Sequence, residues 1–339
     1  MPPSPRASFY ADKLASLADI FGVERVELAG DSLVVGPHRY PIVEDVIVIL
    51  DPSQYPSALR ARIGASGSPE AAAGFAEEIQ DHYSKFWTEW SGILPYHERE
   101  FNEYYDLVDL RSLDGKRVAD LGSGMGRWSY MLAQRAKLRE IVLVDFSTAI
   151  FTARKLLADV PGAIFFMGDL TRLPFRAGFA DFIMSQGVLH HLPYDCLKVV
   201  RDLKKFAPRL LIYLYYALDN KPFYYRMLLA LYQPLRRLLC RARSQAFKVA
   251  FSWFAVFAFY MPFIVLGWVM KPFGLSKYVP LFEEHHWAGL EGMRHSVYDR
   301  FFTSIEQRVT QEQIRALKDT YSRVTLAEGQ AYYHFLCEA

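Results

Sequence analysis

The sequence predicts an α/β fold built on a mostly parallel sheet with covering helices. Three observations carry this. From Lys116 onward, short apolar runs alternate with helical stretches, the sequence form of strands buried on both faces. A glycine-rich turn follows the first of these runs, and two more β-like runs close the chain behind a helical stretch.

Strands are expected at 117–121, 141–146, 163–167, 179–185 and 209–215, most of them joined by connections long enough to cross over. Two more follow at 323–327 and 331–337, behind a helix at 311–320. Residues 1–62 read as an N-terminal accessory segment, with a helical stretch at 9–21 and β-like runs at 32–35 and 46–50 punctuated by Gly36, Pro37, Pro41 and Pro52. A Gly-, Ala- and Ser-rich linker covers 63–74. Residues 75–110 form a helical cap segment carrying Phe86, Trp87, Trp90, Tyr96 and Phe101. The central domain then comprises 111–221 and 311–339, and an aromatic-rich helical insertion after the fifth strand occupies 222–310.

Composition narrows the function. With 52% hydrophobic and 15% aromatic residues the 339-residue chain fills a large core, which excludes a disordered protein. A net charge of +2 is too small for a nucleic-acid partner, whose phosphates call for a basic face. Cys196, Cys240 and Cys337 are odd in number and far apart, so they form neither a disulfide framework nor a CxxC metal site; a reducing cytoplasm fits them. The opening MPPSPRASFYADK lacks the apolar core of a secretory signal.

The run Val118-Ala119-Asp120-Leu121-Gly122-Ser123-Gly124-Met125-Gly126-Arg127 is a strand followed by alternate glycines, opening a helix near Trp128. Glycine permits positive φ and removes the Cβ that would hold a ligand away from main-chain amides at a helix N-terminus. An ordinary tight turn reads the same way until spacing is added. The second strand ends in Asp145-Phe146, about twenty residues on, where a carboxylate can accept both ribose hydroxyls or else cap the next helix. The third ends in Met167-Gly168-Asp169-Leu170, beside the place of an adenine. Nicotinamide dinucleotides use a similar loop, but GxGxxG needs glycine at 127, which is Arg127; the glycines stand as GxGxG.

With VADLGSGMGRW, IVLVDFS, MGDLTRLPF and ADFIMSQGVLHHLP in order, residues 75–216 resemble the class I (Rossmann-like) S-adenosylmethionine-dependent methyltransferases, specifically the small-molecule, type 11-like group with a VLHHLP segment. The resemblance implies a seven-stranded, mostly parallel Rossmann-like sheet ending in an antiparallel hairpin, and S-adenosylmethionine as cofactor with S-adenosylhomocysteine as product. It implies that Gly122, Gly124 and Gly126 surround the methionine part, Asp145 the ribose, Asp169 and Leu170 the adenine, and Gln186 and Gly187 the sulfonium. Asp120, Ser123, Arg127 and Phe146 complete the expected cofactor contacts. Methyl transfer from a sulfonium is a displacement at an activated carbon, so alignment in a dry pocket is the protein's main contribution. Where the acceptor must lose a proton, His190 or His191 is placed to take it; a structural or cofactor-shelf role for the pair stays open.

The uncharged stretch 249–270 has Arg241, Arg243 and Lys248 before it and Lys271 after it, and its 22 residues are enough to span a bilayer. Strands of one sheet on both sides exclude a single crossing. A soluble cap, a buried helical hairpin broken near Pro262, a monotopic interfacial segment, or a pair of spans with 223–239 remain. The piece 235–243 pairs apolar with cationic faces, which suits an anionic lipid surface or a solvated helix. Insertions at this point in similar methyltransferases form acceptor lids, so acceptor contacts are expected from Glu283, Glu284, His285, His286, Trp287, Tyr298 and Arg300, with Trp87 and Trp90 as aromatic walls. No metal site is expected, because adjacent residues such as His285 and His286 seldom face one ion. The reading is a cytoplasmic methyltransferase of biosynthesis, O-methylation first and N- or C-methylation as alternatives. Its acceptor is a small molecule or lipid-linked, with peripheral contact to the inner face of a membrane through 222–273 left open. A base-methylating enzyme is disfavoured, since Ser185-Gln186-Gly187-Val188 lacks an NPPY-like segment. A non-catalytic S-adenosylmethionine-binding partner is the rival.

Overall fold

Among the described residues, eleven strands pair into one mixed sheet whose central six run parallel. The structure is a computed structural model that describes residues 7–63, 80, 83–84, 87, 92–242, 244–327 and 333–339. Most of the expected linker and of the first half of the cap segment, with Phe86 and Trp90, lies outside the described residues, as does Arg243. The strands are β1 (Glu27–Leu28), β2 (Ser32–Val35), β3 (His38–Val43), β4 (Val46–Val48), β5 (Arg117–Leu121), β6 (Glu140–Asp145), β7 (Ala163–Met167), β8 (Phe182–Gln186), β9 (Arg209–Leu214), β10 (Arg323–Leu326) and β11 (Tyr333–Glu338). Their order is β1-β2-β3-β4-β7-β6-β5-β8-β9-β11-β10.

This corrects the expectation of seven strands. The seven from Arg117 onward are adjacent in the sheet and end in the antiparallel pair β11-β10. The N-terminal segment then extends the same sheet: β4 pairs in parallel with β7 through Ile47↔Phe166 and Val48↔Met167, and β3, β2 and β1 follow antiparallel. Without β4, β7 would present a row of unpaired N–H and C=O groups. The strands within residues 27–48 thus extend the sheet beyond β7.

Alternation fixes which side chains go where. Ala119, Leu121, Val142, Val144, Ile164 and Phe166 point into one core layer, and Val118, Ile141, Leu143, Phe165, Met167 and Met184 into the opposite one. The helix Leu14–Phe21 packs on the first layer through Leu17, Ile20 and Phe21. Between β5 and β8 the winding reverses: β6 and β7 lie on one side of β5, and β8 and β9 on the other. A crevice opens beyond the carboxyl ends of strands at such a point.

The insertion has a third core of its own. Leu239, Ala255, Val256, Tyr260 and Ile264 pack against Val297, Phe301 and Phe302 of the helix Gly289–Phe302. Its two ends are tied together where they leave the sheet, by Ala217 N–H donating to Val309 O at 2.8 Å and Val309 N–H to Tyr215 O at 2.9 Å. Of the alternatives left open for this stretch, the hairpin broken near Pro262 is not what the structure has. Gln245–Phe273 is one helical run of 29 residues, with a wider π turn at Val256–Tyr260 just ahead of Pro262. A proline lacks the N–H for an internal helix bond, and a local change of hydrogen-bond register at this point lets the helix continue.

Candidate active site

At the reversal point the strand ends enclose a cavity of about 340 Å3, within the size range of small-ligand sites. Gly122 follows β5, Asp145, Phe146 and Ser147 follow β6, Gly168 to Leu170 follow β7, and Gln186 to Val188 close β8; all line it. Tyr83, Trp87, His191 and the stretch Leu192 to Tyr194 form the rest of the wall.

Asp145 organises the floor. Its Oδ2 accepts from Gly124 N–H at 2.7 Å, and its Oδ1 from the backbone and hydroxyl of Ser147 at 2.8 and 2.6 Å. Burial raises its pKa, against the lowering by these three donors. The carboxylate therefore locks the glycine loop to β6 and still faces the cavity. Asp169 is built alike: Thr171 donates to Oδ1 from N–H and Oγ1, at 2.9 and 2.6 Å, and Gln54 Nε2 approaches Oδ2 at 3.4 Å.

The glycines divide. Gly122 has φ +84°, and a Cβ there would stand 2.4 Å from Val188 Cγ1, so only glycine lets the loop close against the turn after β8. Gly124 lies under the Trp87 indole, and Gly126 packs on Ala153 and Leu157 at the start of the helix Arg127–Ala133. Of the three glycines expected to surround the methionine part, Gly122 lines the cavity and Gly124 and Gly126 do not.

Asp120, Ser123 and Arg127 are also behind the wall. Asp120 accepts from Ser129 Oγ at 2.6 Å and is buried, which with the neighbouring Asp145 charge pushes its pKa up to about 7. Ser123 is buried beneath the loop. The Arg127 guanidinium is buried 5.5 Å from the Trp87 ring and 5.8 Å from Trp128, supporting the cavity wall from behind.

The two histidines separate as well. His190 is fully buried and stacked on Tyr215 at 4.0 Å, off the cavity; burial and the nearby His191 and Arg308 hold it neutral, well below its ordinary pKa. Of the two histidines named as candidate bases, His190 does not line the cavity. His191 lines the cavity, and its Nδ1 stands 2.7 Å from the Ile305 carbonyl, which can only accept. The neutral ring therefore keeps its proton on Nδ1 and a lone pair on Nε2.

Of the acceptor residues, Trp87 lines the cavity and Trp90 lies outside the described residues. His286 stacks on Phe282 and Tyr298 is fully buried with its hydroxyl on Gln245, both within the insertion, while Trp287 donates from Nε1 to the Glu283 carbonyl and packs its ring against Tyr96 and Arg99 of the cap segment. His285 is buried 3.3 Å from Ser296 Oγ, and burial, then Arg300, lowers its pKa to about 3. Glu283 pairs with Lys221 at 3.7 Å. Arg300 and Glu284 form a part-buried ion pair at 2.7 Å. Burial is the largest single influence and works against the Glu284 charge, but Arg300, His285 and the Tyr216 hydroxyl together outweigh it and hold the carboxyl at about 2. Tyr216 donates to Glu284 and Tyr215 to the adjacent Asp299. A path of rings joins this cluster to the cavity, His191 lying 5.9 Å from Tyr83 and 5.4 Å from Tyr215.

Sequence reasoning missed Ser53 and Gln54, which reach the cavity from the N-terminal segment. Their signal was local: Asp51-Pro52-Ser53-Gln54 is a capping box, and it fixes the turn that delivers Gln54 to Asp169. Tyr83, Arg172 and Tyr194 carried no such mark.

The fold and this site define a Rossmann-like protein that binds one mononucleotide-sized ligand at the carboxyl edge of its sheet. Residues 118–207 match the family model described as a methyltransferase domain. Over these residues the chain carries a methyltransferase domain, and S-adenosylmethionine is the cofactor that goes with it. The residues fit that group: Asp145 and Asp169 line the cavity at adjacent strand ends, and Gln186 Oε1, in the cavity wall, is buried without a hydrogen-bond partner among the described residues.

Among solved structures, the chain is similar to magnesium protoporphyrin IX methyltransferase from Synechocystis PCC 6803 with bound S-adenosylhomocysteine, at 17% identity and TM-score 0.41 over 77% of this chain and 96% of that one. It is similar to a phosphoethanolamine N-methyltransferase from Haemonchus contortus at 17% identity and TM-score 0.32, over 42% and 34%. A third, an S-adenosylmethionine-dependent methyltransferase from Mesorhizobium loti, matches at 19% and TM-score 0.30, over 36% and 56%. The chain spans only 44%, 43% and 61% of three further structures. No curated protein matches the sequence.

Proposed function

We propose that the protein transfers a methyl group from S-adenosylmethionine to a hydroxyl of a small-molecule or lipid-linked acceptor, as a step of biosynthesis in the cytoplasm. The observation that carries the reading is the cavity in which the turn after β5, Asp145, Asp169 and Gln186 converge. When bound, the cofactor supplies an activated methyl carbon next to a positive sulfur. Asp145 would accept the ribose hydroxyls, Asp169 and Leu170 would flank the adenine, and Gln186 Oε1 would receive a donor from the methionine end. Trp87 and Tyr83 roof the cavity and exclude water. His191 Nε2 would take the acceptor proton as the oxygen attacks, with Nδ1 held by Ile305 O.

The acceptor would lie beyond His191, towards Tyr215, Asp299 and Arg300, with residues 222–310 as its lid. The VLHHLP likeness to type 11 enzymes, and work at the inner face of a membrane, belong to the same reading. Incubation with methyl-labelled S-adenosylmethionine and aqueous or lipid extracts tests it. Label appearing in a product as a methyl ether, and at least ~100-fold slower with His191→Ala, is the expected result. Binding without transfer to any fraction would make the protein a non-catalytic partner, and label on nitrogen or carbon would overturn the O-methyl assignment.

A further inference from the structure

The insertion carries a surface that the methyl-transfer reading does not use. Along the helix Phe223–Leu239, Phe223, Met227, Leu231, Leu235 and Leu238 recur at three- and four-residue spacing and all face outward, Phe223 being 72%, Leu231 69% and Leu238 67% exposed. The opposite side of that helix is the packed one, with Tyr225, Arg236 and Leu239. The run Gln245–Phe273 repeats the arrangement. Ser252, Ala255, Tyr260, Ile264 and Gly267 face inward, Gly267 so tightly that a Cβ would overlap the Phe282 ring. Phe254, Phe257, Val265, Trp268, Val269 and Phe273 face out, and only 28% of the run's most apolar stretch is buried. Exposed apolar groups in this number and continuity exceed what a soluble surface ordinarily carries.

The charge around this surface is one-sided. From Lys221 to Phe282 there are nine Lys and Arg and no Asp or Glu, in a chain whose totals are 39 and 37. Arg226, Arg237, Arg241, Lys271 and Lys277 are exposed, and among the described residues Arg226, Arg237 and Arg241 form no ion pair. A second copy of the chain would bring this cationic rim against itself. An anionic lipid surface meets it with opposite charge.

We infer that residues 221–282 form a two-helix platform that lies in the plane of an anionic membrane leaflet, with the outward stripes among the acyl chains and the Arg and Lys among the headgroups. The platform lies on the bilayer and does not cross it, because both ends of the insertion are hydrogen-bonded to each other at the sheet and one face of each helix is committed to the protein core. Docking itself does not depend on the methyltransferase reading; it sharpens that reading by favouring an amphiphilic acceptor delivered from the leaflet.

Co-flotation of the full chain with vesicles of phosphatidylcholine alone, and of phosphatidylcholine with phosphatidylglycerol, tests this. Binding to the anionic vesicles should be ~10-fold or more stronger and fall with added salt. Leu231→Asp with Phe257→Asp should abolish it, and Arg237→Glu with Arg241→Glu should weaken it, with melting temperature and S-adenosylmethionine binding unchanged. No flotation with either vesicle, or flotation that both variants leave intact, would overturn the inference. So would a lipid-free dimer that the Asp variant converts to monomer, since the platform's occupant would then be a second copy. Loss of S-adenosylmethionine binding by the unaltered chain would defeat the methyltransferase reading and leave the flotation result standing.

Discussion

Strands β5 to β8 and the helical run Gln245–Phe273 are both strongly apolar, yet the strands are covered on both faces and the helix on one. The difference lies in what each element must satisfy. A central parallel strand has helices above and below, so every residue meets a core. A helix on a lid offers only one side to its neighbour, and its other apolar side reports a second surrounding. The ionisable groups of the two regions diverge in the same way. Asp120 in the sheet is buried beside another carboxyl and its pKa rises to about 7; Glu284 in the insertion is buried against Arg300 and stays near 2.

Four measurements would break or sharpen this contrast. Phe182→Ala, at a fully buried sheet position, should cost ~3–5 kcal/mol in urea unfolding. Glu284→Gln removes the charge that the part-buried Arg300 pairs with while keeping an oxygen that can accept from it, at a cost of about 1–3 kcal/mol near neutral pH. Because folding depresses the Glu284 pKa, the pair's contribution is fully present above about pH 4.5 and is lost as pH falls towards 2, so the variant should show a flatter acid limb. Asp120 has the opposite sign. Its folded pKa is raised from 3.8 to about 7, so the penalty for ionising it grows across that window. Asp120→Asn, which can still accept from Ser129, should gain on the order of 1–3 kcal/mol at pH 8 relative to the unaltered chain and little at pH 4. The smallest effect belongs to Leu231→Ala, at most about 0.5 kcal/mol, since its side chain is already outside.

Much of the sheet was legible because an apolar run between turn residues has few alternatives. Residues 117–121 and 163–167 are strands with those bounds, and 32–35 likewise. The pairing of β4 with β7 was not legible: it joins Ile47 to Phe166 across more than a hundred residues, and no local pattern encodes a partner that distant. Within the site, Asp145, Asp169, Gln186 and Gly187 reach the cavity because strand ends fix where the next residue goes. Gly124 and Gly126 do not, because Trp87 covers the one and Ala153 and Leu157 pack on the other, and His190 turns to Tyr215 while its neighbour His191 meets the cavity. Gln54 and Tyr83 arrive from segments whose position is set only by tertiary packing.

The central claim is the cofactor site, and calorimetric titration with S-adenosylmethionine, with NADH as comparison, tests it most directly. Asp145 both anchors the Gly124 amide and faces the cavity, so Asp145→Ala should weaken S-adenosylmethionine binding by ~100-fold or more, while NADH binds neither protein. Absence of S-adenosylmethionine binding, equal binding by the variant, or binding of NADH in its place would contradict the account.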